Sequence, residues 1–185
     1  MITMALPQDS VERLGGAASS GREAVDALYA ALVRDHHRSI YNYLVRLLGD
    51  TLLAEDVAQD AFLSAYRALP RLPGDANHRA WLYRIATNAA TDEIRRRRRR
   101  PAEWLGLSPT LRAAAPTEDQ RIGRLAVEDA LQRLRPHHRA VLMLFEFAGL
   151  SAQEVGQALR IRPEAARKRR QRAREALLAV LDGSS

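Results

Sequence analysis

An acidic segment in the first third of the chain carries the first residues with recognisable chemistry. Residues 55–62 read Glu-Asp-Val-Ala-Gln-Asp-Ala-Phe, which places Asp56 and Asp60 four positions apart. On a helix these two carboxylates are neighbours on one side, where like charges cost about 0.2–0.5 kcal/mol. Stability therefore gives no reason for the pair, and either a binding role or an ordinary solvated surface accounts for it.

A second segment mixes aromatic and basic side chains. Residues 79–88 read Arg-Ala-Trp-Leu-Tyr-Arg-Ile-Ala-Thr-Asn, followed by Asp92 and an unbroken run of six arginines at 95–100. Aromatic rings beside cations suit single-stranded DNA, in which exposed bases stack on rings and phosphates meet positive charge. Trp81 has an equally simple alternative role as part of a helical core.

A third segment predicts a helix-turn-helix. Ser151 and Glu154 form the capping box of a short helix, because each side chain can bond the other residue's backbone amide. A turn at Ile161 and Arg162 follows, and Pro163 opens a second helix at a position where its missing N–H costs nothing. Residues 162–174 hold seven bases against one acid. A basic second helix of this kind enters the major groove of DNA; a plain helical hairpin with a solvated arginine surface is the alternative.

Charge and composition narrow the class of protein. Lys and Arg total 29 against 22 acids, giving a net charge of +7, and the chain contains no cysteine. Two dense basic clusters far apart in sequence suggest a polyanion contacted at two places. Thiolate metal sites and disulfides are excluded. No apolar run is long enough to span a membrane, and the first 20 residues do not resemble a secretory signal, so we expect a cytoplasmic protein without membrane insertion.

The apolar pattern predicts an all-α fold of two small helical domains joined by a flexible linker. Apolar residues recur at helical spacing and strand-like alternation is absent. In the first helix the expected buried side chains are Val25, Leu28, Leu32, Ile40, Tyr43, Leu44 and Leu47; in a later one they are Ile122, Leu125, Val127, Leu131 and Leu134. We predict a mobile tail at 1–22, a first domain at 23–100 with a loop at 70–77, a linker at 101–119 and a second domain at 120–182.

These motifs together resemble a known family. Residues 54–62 and 81–88 with Asp92 are similar to region two of the extracytoplasmic-function sigma factors of bacterial RNA polymerase. Residues 131–142, 149–151, Glu154, Val155 and 172–174 are similar to region four of the same family. The resemblance spans about residues 24–181 in the family's order and spacing.

The resemblance implies a dissociable polymerase subunit that selects promoters, binding core RNA polymerase at its clamp helices and flap. It implies polymerase contact by Asp56, Gln59 and Asp60. It implies opening and reading of the −10 element by Asn77, His78, Arg79, Trp81, Arg84, Asn88, Asp92, Arg95 and Arg96, with Trp81 shaping the base pocket from the core side. It implies reading of the −35 element by Pro163, Glu164, Ala165, Arg167, Lys168, Arg169 and Arg172. An anti-sigma factor is a further implied partner, and no cofactor or metal is implied.

The chain departs from the family pattern at several positions. His78 replaces an aromatic residue three positions before Trp81, and Glu164-Ala165-Ala166 stands where a small residue and threonine-valine are usual. Arg170 occupies an apolar position, which predicts either weaker helix packing or a place at the rim of the domain. The promoter sequence therefore does not transfer from relatives.

Other functions remain open from the residues alone. A helix-turn-helix regulator that binds duplex DNA without polymerase explains the second domain, yet leaves the acidic and tryptophan segments unexplained. An arginine-rich RNA-binding protein would prefer structured RNA. An enzyme is disfavoured, because no metal cluster, phosphate loop or nucleophile constellation is present in the sequence. The adjacent pairs His36-His37 and His137-His138 point about 100° apart on a helix and are poorly placed to share a metal.

Overall fold

The computed structural model describes residues 8–99 and 118–183, and within them every regular element is helical, which confirms the all-α prediction. Side chains are described for residues 21–97, 99 and 126–183. The described ranges contain seven α-helices: α1 Gln8–Leu48, α2 Thr51–Ala68, α3 His78–Arg99, α4 Glu118–Arg133, α5 Pro136–Leu142, α6 Ala152–Leu159 and α7 Pro163–Leu181. A short 3₁₀ turn covers Leu69–Arg71, and a π-helical segment covers Met143–Phe147.

The first unit consists of α1, α2 and α3 packed side by side. The turn between α1 and α2 is made by Gly49, whose φ of 76° is left-handed, and by Asp50, whose carboxylate accepts the amide of Leu53 at 3.0 Å. Gly49 therefore ends α1, and Asp50 caps α2. A common core fills the space between the three helices; its largest fully buried side chains are Ile40, Tyr43, Leu44, Leu47 and Tyr83.

Two expectations for α1 differ from the structure. The helix continues back to Gln8, through most of the segment expected to be a mobile tail, while residues 1–7 lie outside the described residues. Glycines 15, 16 and 21 each cost about 1 kcal/mol in a helix but do not end one as proline would. Leu28 is 40% exposed, so its place in the buried stripe was wrong. Helix α2 does reach this part of α1, since Tyr66 donates to Asp26 at 2.7 Å and its ring lies 4.9 Å from that of Tyr29, but Leu28 lies largely outside that contact.

A buried hydrogen-bonded pair joins α1 to α3. The hydroxyls of Tyr43 and Thr87 are 2.7 Å apart, and Thr87 Oγ1 also donates to the carbonyl of Tyr83 at 2.6 Å. Since the single proton of Thr87 goes to that carbonyl, Tyr43 is the donor to Thr87. Burial raises the pKa of Tyr43, so its phenol stays protonated and keeps donating at all ordinary pH values.

The second unit consists of α4 to α7 and contains the predicted helix-turn-helix. Both reciprocal capping bonds are present, Ser151 Oγ accepting the Glu154 amide at 3.2 Å and Glu154 accepting the Ser151 amide at 2.8 Å. Helix α6 ends at Arg160, whose φ of 54° makes the left-handed turn, and Pro163 opens α7. Gly156 permits this tight turn, because a Cβ there would lie 2.8 Å from the carbonyl oxygen of Ile161.

Burial in the second unit largely follows the expected pattern, with one error and one boundary change. Leu131 and Leu134 are buried, but Val127 is 39% exposed, so its assignment to the core was wrong. Helix α4 begins at Glu118, within the predicted linker; residues 101–117 of that linker lie outside the described residues. Thr117 and Gln120 have the spacing of a capping box in the sequence, a helix-start signal that the predicted boundary left unused.

The two units are in direct contact. Helix α3 packs on α6, and Gln132 of α4 donates to the carbonyl of Arg46 in the last turn of α1 at 3.1 Å. The same amide group fills the space beside Gly49, where a Cβ would lie 2.6 Å from Gln132 Cδ. The guanidinium of Arg46 covers the ring of Phe147, with Arg46 Cζ 4.5 Å from the ring centroid.

The Tyr43–Thr87 pair generates a stability prediction. Thr87→Val leaves the buried Tyr43 hydroxyl without its acceptor and should destabilise by about 1–3 kcal/mol, whereas Tyr43→Phe removes one bond only and should cost about 0.5–1.5 kcal/mol. Denaturant unfolding of the full chain measures both. Thr91→Val is the control, since Thr91 Oγ1 also donates to a carbonyl four residues earlier, that of Thr87, at 2.7 Å. Equal losses in Thr87→Val and Thr91→Val would contradict the assignment.

Candidate nucleic-acid interface

The outer side of α2 forms an exposed surface that we call the acidic face: Leu52, Asp56, Gln59, Asp60 and Leu63. All five side chains are exposed, including Leu52 at 71% and Leu63 at 51%. The opposite side of α2 is buried in the core, which fixes the orientation of this face; its members are Leu53, Ala54, Val57, Ala58, Ala61, Phe62 and Ala65. The structure thus brings the three predicted polymerase-contact residues onto one surface.

The sequence analysis missed the two leucines of the acidic face. Leu52 precedes Asp56 by four residues and Leu63 follows Gln59 by four, so helical spacing places them in line with the polar residues. Leu52 and Leu63 give this surface apolar as well as charged groups, which a protein partner can contact. The signal was available in the sequence, but neither leucine was given a role there.

Asn77 builds the junction between the loop and α3. Its Oδ1 accepts the amide of Ala80 at 2.9 Å, and its carbonyl accepts the amide of Trp81 at 2.9 Å, so it acts as the N-cap of the helix. A tight turn precedes it, with the Ala76 amide bonded to the Pro73 carbonyl at 3.0 Å. The predicted break between α2 and α3 is confirmed.

This junction encloses a pocket of about 340 Å³. Trp81 and Arg84 of α3 line one wall, the loop lines another, and Gln157 of α6 reaches in from the second unit. Trp81 is only 7% exposed, so it can shape the pocket from beneath but offers little free ring surface. The loop residues that complete the lining are Leu72, Pro73, Asp75, Ala76 and Asn77.

The other predicted −10 residues on α3 share its outer side, but several are engaged in ion pairs. Asn88 is exposed and Arg84 is half-buried. Arg95 pairs with Asp92 at 3.2 Å, and Arg96 pairs with Glu93 at 2.7 Å. The arginine run is therefore partly neutralised by acids on its own helix.

Another arginine of the run has a structural contact. Arg97 is largely buried and lies 3.4 Å from the carboxylate of Asp50, the cap of α2. It also approaches Glu93 at 3.2 Å. The first turns of the run thus help to hold α3 against α2, which the sequence analysis did not anticipate.

Among the predicted −10 residues, His78 and Arg79 lie together in the first turn of α3. Both are half-buried, and Arg79 is directed at the second unit, donating from Nη2 to the carbonyl of Ala148 and lying 3.6 Å from Glu154 through Nη1. Asn77 also approaches Glu154, its Nδ2 3.4 Å from the carboxylate. Two predicted DNA-contacting residues are thus occupied by a carboxylate of the other unit.

Helix α7 presents a basic outer side. Its inner side is fixed by the buried Ala166 and Ala173. Among the predicted −35 residues, Arg167, Lys168, Arg169 and Arg172 are exposed, as is Glu164, which lies 3.8 Å from Arg167; Pro163 and Ala165 are half-buried. The predicted set therefore lies mainly on the accessible surface of one helix.

Two neighbouring side chains with DNA-reading chemistry were missed. Gln171 is exposed one turn after Arg167, and its Nε2 donates to Glu175 at 2.9 Å. Arg162 is exposed at the start of the helix. Glutamine pairs with adenine in the major groove through two hydrogen bonds. The sequence analysis attended to the dense positive charge, and an uncharged amide within it gave no comparable signal.

Arg170 lies at the rim of the second unit, one of the two outcomes expected from the sequence. Its Nε donates to Glu146 at 2.9 Å, and its guanidinium lies 4.9 Å from the ring centroid of Phe145. The hydrogen bond from Arg170 lowers the pKa of Glu146, and Arg174 adds to the effect at 3.0 Å. The π-helical segment positions Glu146 for both contacts.

Within the described residues, no group of three or more His, Cys, Asp and Glu side chains could hold a metal ion. A search of the same part of the chain finds no helix with the length and apolar character needed to cross a membrane.

Comparison with known proteins identifies the family. A family model described as Sigma-70 region 2 matches residues 32–100, and one described as Sigma-70, region 4 matches residues 124–177. The RNA polymerase sigma-H factor of Pseudomonas aeruginosa is 33% identical, with 96% of this chain and 94% of that protein covered. The sigma factor CarQ of Myxococcus xanthus is 34% identical, with 86% and 92% covered.

Solved structures agree in fold. CnrH in complex with the cytosolic domain of CnrY superposes with a TM-score of 0.66 at 26% identity, over 89% of this chain and 96% of that one. The sigma factor RpoE of Bartonella quintana, in complex with the anti-sigma factor NepR, gives 0.67 at 21% identity, over 83% and 95%.

Both regions occur in order on one chain, so a helix-turn-helix regulator that works without polymerase is not favoured. The alignments with curated sigma factors run through both units and nearly the full length of the relatives. The chain belongs to the sigma-70 family, as an extracytoplasmic-function sigma factor that directs promoter-specific transcription by bacterial RNA polymerase.

Proposed function

We propose that the three surfaces divide the work of initiation: the acidic face binds the clamp helices of core polymerase, the pocket before α3 captures a base of the −10 element, and α7 reads the −35 element. The observation that carries this assignment is the acidic face. The exposed carboxylates Asp56 and Asp60 would repel DNA phosphates, whose contacts require positive charge, so this face suits a protein partner rather than DNA.

Polymerase docking follows from the chemistry of the acidic face. Asp56 and Asp60 attract a basic surface over a range of about 10 Å at ordinary salt. Leu52 and Leu63 can then bury apolar area, which contributes about 25 cal/mol per Å² removed from water. Charge steers the encounter and apolar burial prolongs it, so both kinds of side chain are needed.

Base capture follows from the pocket. A flipped base loses its stacking and pairing partners and must be compensated by new ones. The loop and Asn77 offer amide and backbone hydrogen-bonding groups, His78 a ring, and Arg84 a cation for the adjoining phosphate. Trp81 supports the wall from the core side, consistent with its 7% exposure.

Duplex reading follows from the outer side of α7. The major groove accepts one helix, and arginine binds guanine edges through two hydrogen bonds. Arg167, Lys168, Arg169 and Arg172 are all exposed, which leaves each of them accessible to base edges or to the neighbouring phosphates. The proposal also includes a contact with the polymerase flap, a cytoplasmic location and an anti-sigma partner. Such a partner is supported by the similar protein CnrH, which forms a complex with the cytosolic domain of CnrY.

A charge-reversal experiment tests polymerase docking. Asp56→Lys with Asp60→Lys should weaken binding to core polymerase at least tenfold, since two attractions become repulsions while the exposed positions leave the fold intact. Binding is measured by titrating labelled chain with core enzyme. Glu23→Lys with Asp35→Lys makes the same charge change on exposed positions of α1 and serves as the control. Equal weakening in both pairs would remove the acidic face from the interface.

The apolar part of the same face has its own prediction. Leu52→Ser with Leu63→Ser should weaken core binding without reducing its dependence on salt, because apolar burial is not screened by ions. The salt dependence of the dissociation constant in wild type and variant measures this. If the variant binds core polymerase as tightly as wild type does, the two leucines do not contribute to docking and only the charged side chains do.

Recognition of the −35 element is tested by alanine substitutions on α7. Arg167→Ala should cost about 1–3 kcal/mol on the cognate duplex and relax specificity at one position if it reads a base edge. A matrix of duplexes with single base changes measures both effects. Arg34→Ala on α1 removes the same charge away from α7 and controls for general electrostatics. If affinity for every duplex stays at the wild-type value, α7 is not the reading helix.

Strand opening is tested at the junction before α3. Asn77→Ser with His78→Ala keeps a capping hydroxyl for α3 but removes the amide and the ring, so open-complex formation on duplex promoter should fall severalfold. Permanganate reactivity of −10 thymines measures opening. A promoter with a preformed bubble should restore binding only in part, because the base contact is also lost. Wild-type opening by this variant would make the loop a connector.

A further inference from the structure

The two adjacent histidines of α5 lie outside the acidic face, the base pocket and the predicted −35 set. His137 is exposed, His138 is half-buried, and their rings meet edge to face with centroids 4.3 Å apart. Helix α5 packs against α7, the helix assigned to the −35 element. The two imidazoles are therefore held beside α7 by the packing of the second unit.

Arginines surround the histidine pair. Arg135 directly precedes α5, and on α7 Arg169 lies within electrostatic range of His137 while Arg172 lies within range of His138. Among the described residues, no carboxylate contributes to the electrostatic environment of either imidazole. These three arginines and two histidines form one surface, which we call the histidine cluster.

The ion pairs of α7 leave the charge of this cluster uncompensated. Arg170 and Arg174, on the same helix, share the carboxylate of Glu146. Within the described part of the chain, Arg169 and Arg172 have no such partner, and both are exposed. Guanidinium groups that lack an acid beside them attract anions from solution.

The protonation of the two imidazoles depends on what occupies the cluster. In the free chain, burial and the neighbouring arginines lower the pKa of both histidines, so both rings are mainly neutral at neutral pH. A phosphate beside them would favour the imidazolium instead, because an opposite charge stabilises the charged form. Binding of an anion is therefore coupled to uptake of protons.

We propose that the histidine cluster binds the phosphate backbone of duplex DNA beside the groove that α7 occupies, and that its imidazoles take up protons when the phosphates bind. The proposal rests on the assignment of α7 as the duplex-reading helix. Backbone phosphates are the favoured occupant, because α7 brings them alongside a surface whose charges are all positive. Such contacts position a protein on DNA without reading its sequence, so affinity for any duplex should rise as the pH falls.

The chain contains a natural control for testing this contact. His137→Gln with His138→Gln removes both titratable rings and keeps a polar side chain at each position. His36→Gln with His37→Gln makes the same change in the adjacent pair of α1, which also has one exposed and one half-buried member. A third variant, His137→Arg with His138→Arg, supplies permanent charge, and circular dichroism at each pH checks that every chain stays helical.

Binding of the full chain to a labelled duplex of mixed sequence and about 20 base pairs is measured by fluorescence anisotropy at several salt concentrations. Wild type and the α1 control should bind at least about fivefold more tightly near pH 6 than near pH 8, with a steeper salt dependence at the lower pH. The glutamine variant of the cluster should lose most of this pH effect. The arginine variant should bind tightly at both pH values.

Each result decides the proposal. Equal pH dependence in wild type and the glutamine variant overturns it, as does an equal loss of affinity at both pH values, which would indicate a structural role for the rings. Absence of duplex binding by every chain also overturns it. If the pH effect depends on the histidine pair but Arg167→Ala binds every duplex as wild type does, the phosphate contact stands while α7 fails as the reading helix.

Discussion

The packing of α3 between the other helices is the constraint on which the rest of the structure depends. One side of α3 is buried against α1 and α2 and fixed by the bond between Tyr43 and Thr87. That fixes which side chains point outward, and the outer side carries the pocket walls and the residues that face the second unit. If α3 were rotated about its axis by the angle between successive residues, about 100°, Arg84 or Asn88 would become buried and the pocket before α3 would lose its walls.

The same amphipathic logic sets the other two surfaces. Helix α2 buries an unbroken stripe of small and apolar residues, so its carboxylates and two leucines can only face outward. Helix α7 buries only alanines at its closest contacts, Ala166 and Ala173, which brings its backbone near α5 and α6 and keeps its long basic side chains free for the outer side. Arg170, the one base at an apolar position, is accommodated through Glu146 and Phe145.

The sequence predicted the helices and their caps because those depend on local chemistry. The capping box of Ser151 and Glu154 and the helix start at Pro163 act within four residues of their partners, and both are confirmed. Leu28 and Val127 were misjudged because apolar spacing shows that a helix is amphipathic but not which of its apolar side chains a partner helix covers. The contacts of Arg79 with Glu154 join residues 75 positions apart, and no local pattern announces a pair whose geometry depends on how two units meet.

Polymerase docking, −10 base capture and −35 reading are three separate binding activities of one chain. Together they imply that core polymerase uses this chain to find and open promoters. The most direct measurement is transcription in vitro by core polymerase on fragments of the source genome, with and without the chain, followed by mapping of RNA 5′ ends. The account predicts new transcripts that start at defined positions only when the chain is present. Absence of new start sites with a core enzyme that is active with another sigma factor, together with unaided binding of the chain to duplex DNA, would contradict it.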